Sequence, residues 1–572
     1  MNVSITALTT LFLTLSYCCC NTHGFVQSST SVPKSSSSPS PARTTQLFVD
    51  GQGMAGGSRH LLGDIIRSLQ PGYLTQMADA IQSNVKGMAE IQVDEFCETL
   101  GPSVASWEQL LESISNTTPK KGEEERLSSR TTSRLFGHSK PMVTLYRDSA
   151  AWCPYCQKTW MALEETRVPY EIVKIDMRCY GKGKPTEFLK LQPNGNLPCA
   201  IINSREGGTQ NVVRESNDII DALDELSSSV APTLRPVGHE DRIRAWCDNG
   251  RDSLERRLYA RWMWWLTGVR RPQEYKDLFL EHWQEMEDAL GEVPGPYFLG
   301  KEISVVDLRF IPFVERQLAS LAYFKGADYL RDPNRYPNVV RWLEAMESRA
   351  SFQVTKSDYY THSRALPPQL AADCAAEPGC EELQESIDSW PVLDGSRDWK
   401  EPGWEWCESG ATKEAADRLV QGNRNIVAFC ARGAGVSGLP AASAPLADPG
   451  ALPNESAIPA LDLLIRYIAT SLLQKSSACS GSWLQIDSIG SATKDSVLFT
   501  NAVSRLDNES ALSLADCLDY LRARIGVPRD MSYPAAQALR KELLFVSNIL
   551  RGNTNGSVTP VEGISNLQAP RR

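Results

Sequence analysis

Two cysteines stand two residues apart in "RDSAAWCPYCQKTW" (Arg147 to Trp160): Cys153 and Cys156, separated by Pro154 and Tyr155. Thiols at that spacing can act as a redox nucleophile with its resolving partner, supply half of a zinc site, or fill space as two small buried side chains. Zinc needs four ligands, usually from two paired motifs. The sequence has no second CxxC, its 6 histidines are not clustered, and Cys179, Cys199 and Cys247 stand alone. Cys374 and Cys380 are too far apart to repeat the motif. No metal site is expected, and the choice falls between chemistry and packing.

The elements around the pair favour chemistry. "MVTLYRD" alternates like a strand, and "CPYCQKTWMALEETR" carries apolar residues at helical spacing. "YEIVKIDM" reads as a second strand, "KPTEFLKL" as a short helix, "CAIIN" with "NVVR" as a hairpin, and "SNDIIDALDEL" as a closing helix. This βαβ–α–ββα order puts the CxxC at the junction of the first strand and first helix, the signature of a thioredoxin-like redox site. A helix N-terminus carries about half a positive charge and free N–H groups, so it favours a thiolate. Cys153, at the helix start, is the expected nucleophile. Cys156, a turn further in, is a possible resolving thiol whose part stays open. Two further groups accompany the pair. A cis peptide at Leu197-Pro198, ahead of a strand, would offer backbone N–H and C=O groups to an extended peptide ligand; an ordinary edge-strand proline is the alternative. Glu215-Ser216 at the next helix start combines an acid, a hydroxyl and free N–H groups that can hold an amino-acid-like end, or simply cap the helix.

Cys-Pro-Tyr-Cys, Lys184-Pro185, Asn194-Gly195-Asn196-Leu197-Pro198 and Glu215-Ser216, in this order, resemble the N-terminal domain of cysteine-type glutathione transferases of the omega, lambda and dehydroascorbate-reductase classes. "YFLGKEISVVDLRFIPFVERQL" (Tyr297 to Leu318), with a capping box expected at Ser304 and Asp307, is similar to the signature of that family's helical domain. The layout, with "KSDYYTHSRALPPQL" and "VPRDMSYPAAQALRKEL", resembles the plastid iota class with N- and C-terminal extensions. The resemblance implies glutathione as co-substrate: its cysteinyl backbone on Leu197 beside Pro198, its γ-glutamyl end on Glu215 and Ser216, its glycine carboxylate on Lys184. It implies thiol–disulfide exchange through Cys153, with deglutathionylation or dehydroascorbate-type reduction as the activity. Partners are then glutathione and a small or glutathionylated thiol or disulfide, with a homodimer left open. Many relatives have only the first cysteine, so Cys156 adds a dithiol option. A glutathione-ligated iron–sulfur cluster and a non-enzymatic ligand carrier are the competing readings.

The rest of the chain sets the frame. Its 572 residues exceed one ordinary core. The expected fold is multidomain α+β and all-α: a thioredoxin-like domain at 137–230, an all-helical glutathione-transferase domain at 235–362, and a mostly helical extension at 363–572. Ahead of them come a presequence at 1–50 and a helical extension with a linker at 51–136, where Thr118 to Arg134 reads as linker. A net charge of −10 with interspersed signs argues against nucleic acid. Beyond residue 20 no apolar run long enough to span a bilayer is expected, and hence no membrane. "ITALTTLFLTLSY" followed by a Ser-rich, acid-free stretch to Gln46 reads as a signal plus transit peptide, so a plastid is expected, with secretion as the alternative. "RWMWWLTG" (Arg261 to Gly268) is either an open aromatic wall for a substrate or, more commonly, bundle core.

Overall fold

In the central strand, β2 (Val143–Asp148), Val143 and Leu145 point to one buried face, as a period of two requires. A computed structural model describes residues 88, 90–115, 127, 131–175, 184–203, 210–227, 232–248, 250–370, 374, 376–389, 401–404, 410–436, 451–478 and 494–552. β2 pairs in parallel with β3 (Tyr170–Ile175), the two being joined by the helix Pro154–Thr166. On its other side β2 runs antiparallel to β4 (Cys199–Asn203), which pairs with β5 (Gln210–Val213). A two-residue strand, β1 (Ser133–Arg134), closes the far edge antiparallel to β3, giving the order β1-β3-β2-β4-β5. β1 lies inside the stretch expected to be linker, because two residues are too few to show a period. The helix Ser216–Ser227 packs beside Pro154–Thr166 over this sheet. The thioredoxin-like sheet domain is followed by a helical domain, as the order of elements predicts.

The helical domain is organised around Val305–Lys325, every residue of which is buried. Such a helix must be covered on all sides. Leu254–Thr267 and Tyr359–Leu370 are among the helices that do so. The expected capping box is present at its start. The Ser304 amide donates to Asp307 Oδ2 at 2.8 Å, and Asp307 Oδ1 accepts from Trp342 Nε1 at 2.8 Å and from the Phe298 amide at 3.1 Å. Gly326, at φ 61°, ends the helix in the left-handed region that suits glycine. The tryptophan stretch is mostly bundle core, the commoner of the two readings. Trp262 and Trp265 are core residues, donating to Ser320 Oγ and Glu377 Oε1 at 2.9 Å each, whereas Trp264 is 38% exposed against Tyr275.

A second core lies outside these two domains, and it draws on both ends of the chain. Ile91, Phe96, Leu100 and Leu110 share it with Leu461, Leu464, Leu514 and Leu543. The Ile91 amide donates to Ser456 Oγ and the Gln92 amide to Ser510 Oγ, both at 3.0 Å. Residues from the N-terminal extension and the C-terminal extension thus form one unit. Phe96 is fully buried there. Phe96→Ala is expected to cost ~3–5 kcal/mol, read as a lowered melting temperature. One helix of this core, Glu455–Lys475, is long and apolar enough to cross a membrane, a correction to the reading that no such run exists beyond residue 20. Asp462, Arg466 and Lys475 disguise the run in sequence. Here Asp462 accepts from Trp107 Nε1 at 2.7 Å, Arg466 donates to the Ala105 carbonyl at 3.0 Å, and Leu461, Leu464, Ile468 and Leu472 fill the core.

Candidate active site

Cys153 is the N-cap of the helix Pro154–Thr166, with extended backbone and Pro154 in the first turn. That position suits proline, whose missing N–H would lack a partner there in any case. The Cys153 sulfur takes the place of a capping oxygen: it accepts from the Cys156 amide at 3.4 Å. It also lies 3.6 Å from the Leu197 carbonyl, and the Leu197-Pro198 peptide is cis. Cys153 is half-buried whereas Cys156 is 2% exposed. Burial, reinforced by the neighbouring Cys153, pushes the Cys156 thiol well above its ordinary range. The inner thiol is thereby kept protonated, and the outer one meets the helix N-terminus and the solvent.

The structure joins the other candidate residues to the site by different contacts. The Leu197 carbonyl accepts from the Cys153 S–H at 3.6 Å. Lys184 is buried, and its ammonium donates to the carbonyl of Gly195 in the turn leading to Leu197. Burial lowers its basicity, and the nearby Asp148 carboxylate acts the other way. Glu215 and Ser216 stand at the start of the helix Ser216–Ser227, Ser216 buried and Glu215 exposed. They touch the cysteine helix indirectly: Lys158 donates to Asn217 Oδ1 at 2.6 Å.

Lys158 is itself unusual. Its side chain is almost completely buried, and burial, with the adjacent Arg309, lowers its pKa to about 8. Because the folded value lies below the unfolded one, the native state binds fewer protons between about 8 and 10.5, and stability rises with pH through that window. Lys158→Met removes the penalty of the buried charge. The variant is expected to melt higher than the parent at pH 7, with the difference shrinking toward pH 10, as thermal unfolding across pH will show.

Several polar residues at the site were not singled out from sequence. Asp148, at the end of β2, accepts from the amides of Trp152 at 2.6 Å and Cys153 at 3.4 Å, fixing the loop before the helix. From the helical domain, Arg316 donates to the Trp152 carbonyl and to Gln157 Oε1, each at 2.9 Å. Its neighbour Glu315 accepts from Gln157 Nε2 at 2.7 Å, so both ends of the Gln157 amide are held. The signal was present in "FIPFVERQLASL", where a Glu-Arg pair interrupts an apolar helix. Without the fold, nothing tied that pair to the cysteines. Tyr155, Phe313 and Tyr259 add an aromatic cluster beside the CPYC, with edge-to-face centroid separations of 5.6 and 5.4 Å.

Comparison with known proteins agrees with this geometry. Residues 152–226 match the family described as glutathione S-transferase, N-terminal domain, and residues 252–345 match glutathione S-transferase, C-terminal domain. The chain is similar to the probable cytosolic glutathione S-transferase DHAR1 of Oryza sativa subsp. japonica, at 28% identity over 210 residues, covering 37% of this chain and 86% of that protein. It is also similar to the chloroplastic glutathione S-transferase DHAR3 of Arabidopsis thaliana, at 24% identity over 206 residues, 36% of this chain and 69% of that protein. A third relative is the disulfide-bond oxidoreductase YfcG of Escherichia coli (strain K12), at 25% identity over 230 residues, 36% of this chain and 91% of that protein. The extensions lie outside the two family matches.

Proposed function

From a chain that carries the paired N- and C-terminal domains of a glutathione S-transferase, we propose a glutathione-dependent thiol transferase that works through the Cys153 thiolate. The observation that supports this reading is the half-buried Cys153 at a helix N-cap, its sulfur accepting a backbone N–H from Cys156. Hydroxyl-based transferases activate glutathione itself; a thiolate here is placed to attack. In the first step Cys153 attacks the glutathionyl sulfur of a mixed disulfide, the substrate thiolate leaves and takes a proton, and a Cys153–glutathione disulfide forms. A second glutathione thiolate then attacks that disulfide, releasing oxidised glutathione and regenerating Cys153. The cysteinyl backbone of glutathione would lie along Leu197 beside Pro198. Its γ-glutamyl end would meet Glu215 and Ser216, and its glycine carboxylate would lie on the side of Lys184. The names of the DHAR and disulfide-oxidoreductase relatives support reductive over conjugating chemistry.

The test is a panel of acceptors. Activity is expected with a glutathionylated peptide and with dehydroascorbate, and little or none with an aryl electrophile; the reverse order would overturn the reading. A plastid destination belongs to the same proposal. It is supported by the tandem signal-like and transit-like composition of residues 1–46, which lie outside the described residues, and by the chloroplastic relative. A fluorescent fusion of residues 1–50 is expected to enter the plastid of an algal host.

A further inference from the structure

The two stretches that carry the resemblance to the extended class, Lys356 to Leu370 and Val527 to Leu543, meet each other in the fold. Ser357 Oγ donates to the Val527 carbonyl, and the Val527 amide donates to Thr361 Oγ1 at 3.1 Å. Asp358, with no exposed surface, pairs with Arg540 of the C-terminal helix Tyr533–Leu550, and Arg540 also donates to Thr361 Oγ1 at 3.0 Å and to the Ile525 carbonyl at 2.7 Å. The other side of the same segment grips Glu315. The Ser357 amide donates to Glu315 Oε1 at 2.6 Å, and His362 Nε2 lies 2.7 Å from that oxygen. Burial lowers the basicity of His362, while contact with His362 and the charge of Arg316 hold Glu315 below its ordinary value despite its burial.

A continuous buried path therefore runs from Arg540, through the segment 357–362 and Glu315, to Gln157 and Arg316. Arg316 ends it on the peptide immediately before Cys153. Arg316 is 4% exposed and interacts electrostatically with Cys153 and Asp148. Among the described residues, Lys184 from the stretch ahead of the helix Thr186–Leu191 and Arg316 from the helical domain interact electrostatically with Cys153, and Asp148 from β2 accepts from its backbone amide at 3.4 Å. Of these, Arg316 is the one joined to the C-terminal extension by the path just described.

We infer that Arg316 is a positioning residue for Cys153, and that the C-terminal extension keeps it in place through the 357–362 segment and Glu315. This rests on Cys153 being the reactive thiol of the proposed function, and it assigns the extension a part in the reactivity of the site.

The test reads the thiol itself, so it does not depend on the acceptor. In the full-length chain with Cys156→Ser, Cys153 is alkylated with iodoacetamide across pH, and the modified peptide is quantified by mass spectrometry. Arg316→Gln removes a positive charge and the hold on the Trp152 carbonyl. It is expected to move the midpoint of the rate profile to higher pH and to slow alkylation below that midpoint by about tenfold, equivalent to ~1.4 kcal/mol. His362→Leu, which leaves Arg316 intact but removes the contact with Glu315, is expected to move the midpoint in the same direction by a smaller amount. An unchanged profile for Arg316→Gln in a protein that still melts cooperatively would overturn the positioning role. Should that variant not fold, the His362→Leu profile decides: a shift supports the inference and an unchanged midpoint overturns it. If the panel of acceptors fails but the profile shifts, the function is wrong and the inference stands.

Discussion

Replacing Cys153 with serine is expected to abolish thiol-transferase activity, with a loss of at least ~10³-fold in kcat/KM, the scale seen when a catalytic nucleophile is removed. Replacing Cys156 with serine is expected to leave most of the rate. The asymmetry follows from the two environments. Cys153 caps the helix, is half-buried, and its sulfur accepts from the Cys156 amide. Cys156 is 2% exposed, and its own burial holds it protonated. A buried thiol can still resolve a disulfide on its neighbour, but glutathione in solution reaches the outer sulfur without it. Rates of glutathionylated-peptide reduction for both variants, with glutathione in excess, check this. Equal losses would replace the monothiol route with one that passes through a Cys153–Cys156 disulfide.

The second large effect is on stability. Arg540→Ala is expected to cost ~3–5 kcal/mol, because it leaves the carboxylate of Asp358 buried without its partner. Burial alone would raise the pKa of Asp358, but the charge and hydrogen bonds of Arg540 prevail and hold it below the ordinary value. The sign of the pH dependence follows. A depressed folded pKa contributes stability that is complete above the unfolded value of about 3.9 and is lost as pH falls through the folded value. The gap between parent and variant should therefore be widest at neutral pH and narrow below about pH 4. Chemical denaturation at several pH values measures it. Because the pair joins the helix Tyr533–Leu550 to the segment leading into Tyr359–Leu370, a separation of one unfolding transition into two is the expected form of the damage.

How far the sequence alone reaches can be judged from these same residues. The strand–helix junction that displays Cys153 was legible because local signals agreed there: alternation in "MVTLYRD", proline at the helix start, and a helical apolar stripe behind it. The capping box at Ser304 and Asp307 was legible for the same reason, being written within four residues. What escaped depends on contacts between distant segments. Ile91 and Ser456 are 365 positions apart, and nothing local announces that the two extensions share a core. Arg316 reads as one charged residue in an apolar helix until the fold sets its guanidinium against Trp152, 164 positions earlier. Lys184 shows the converse. The resemblance implied a ligand carboxylate for it, whereas its ammonium is seen to brace the Gly195 carbonyl within the turn.

The central claim is that the glutathionyl group is carried on Cys153. The most direct measurement is the mass of the Cys156→Ser protein after exposure to a glutathionylated peptide without free glutathione, followed by mapping of the modified residue. One glutathione on Cys153, released when glutathione is added, is the predicted result. A protein that turns over the peptide while carrying glutathione on another cysteine, or on none, would contradict the account.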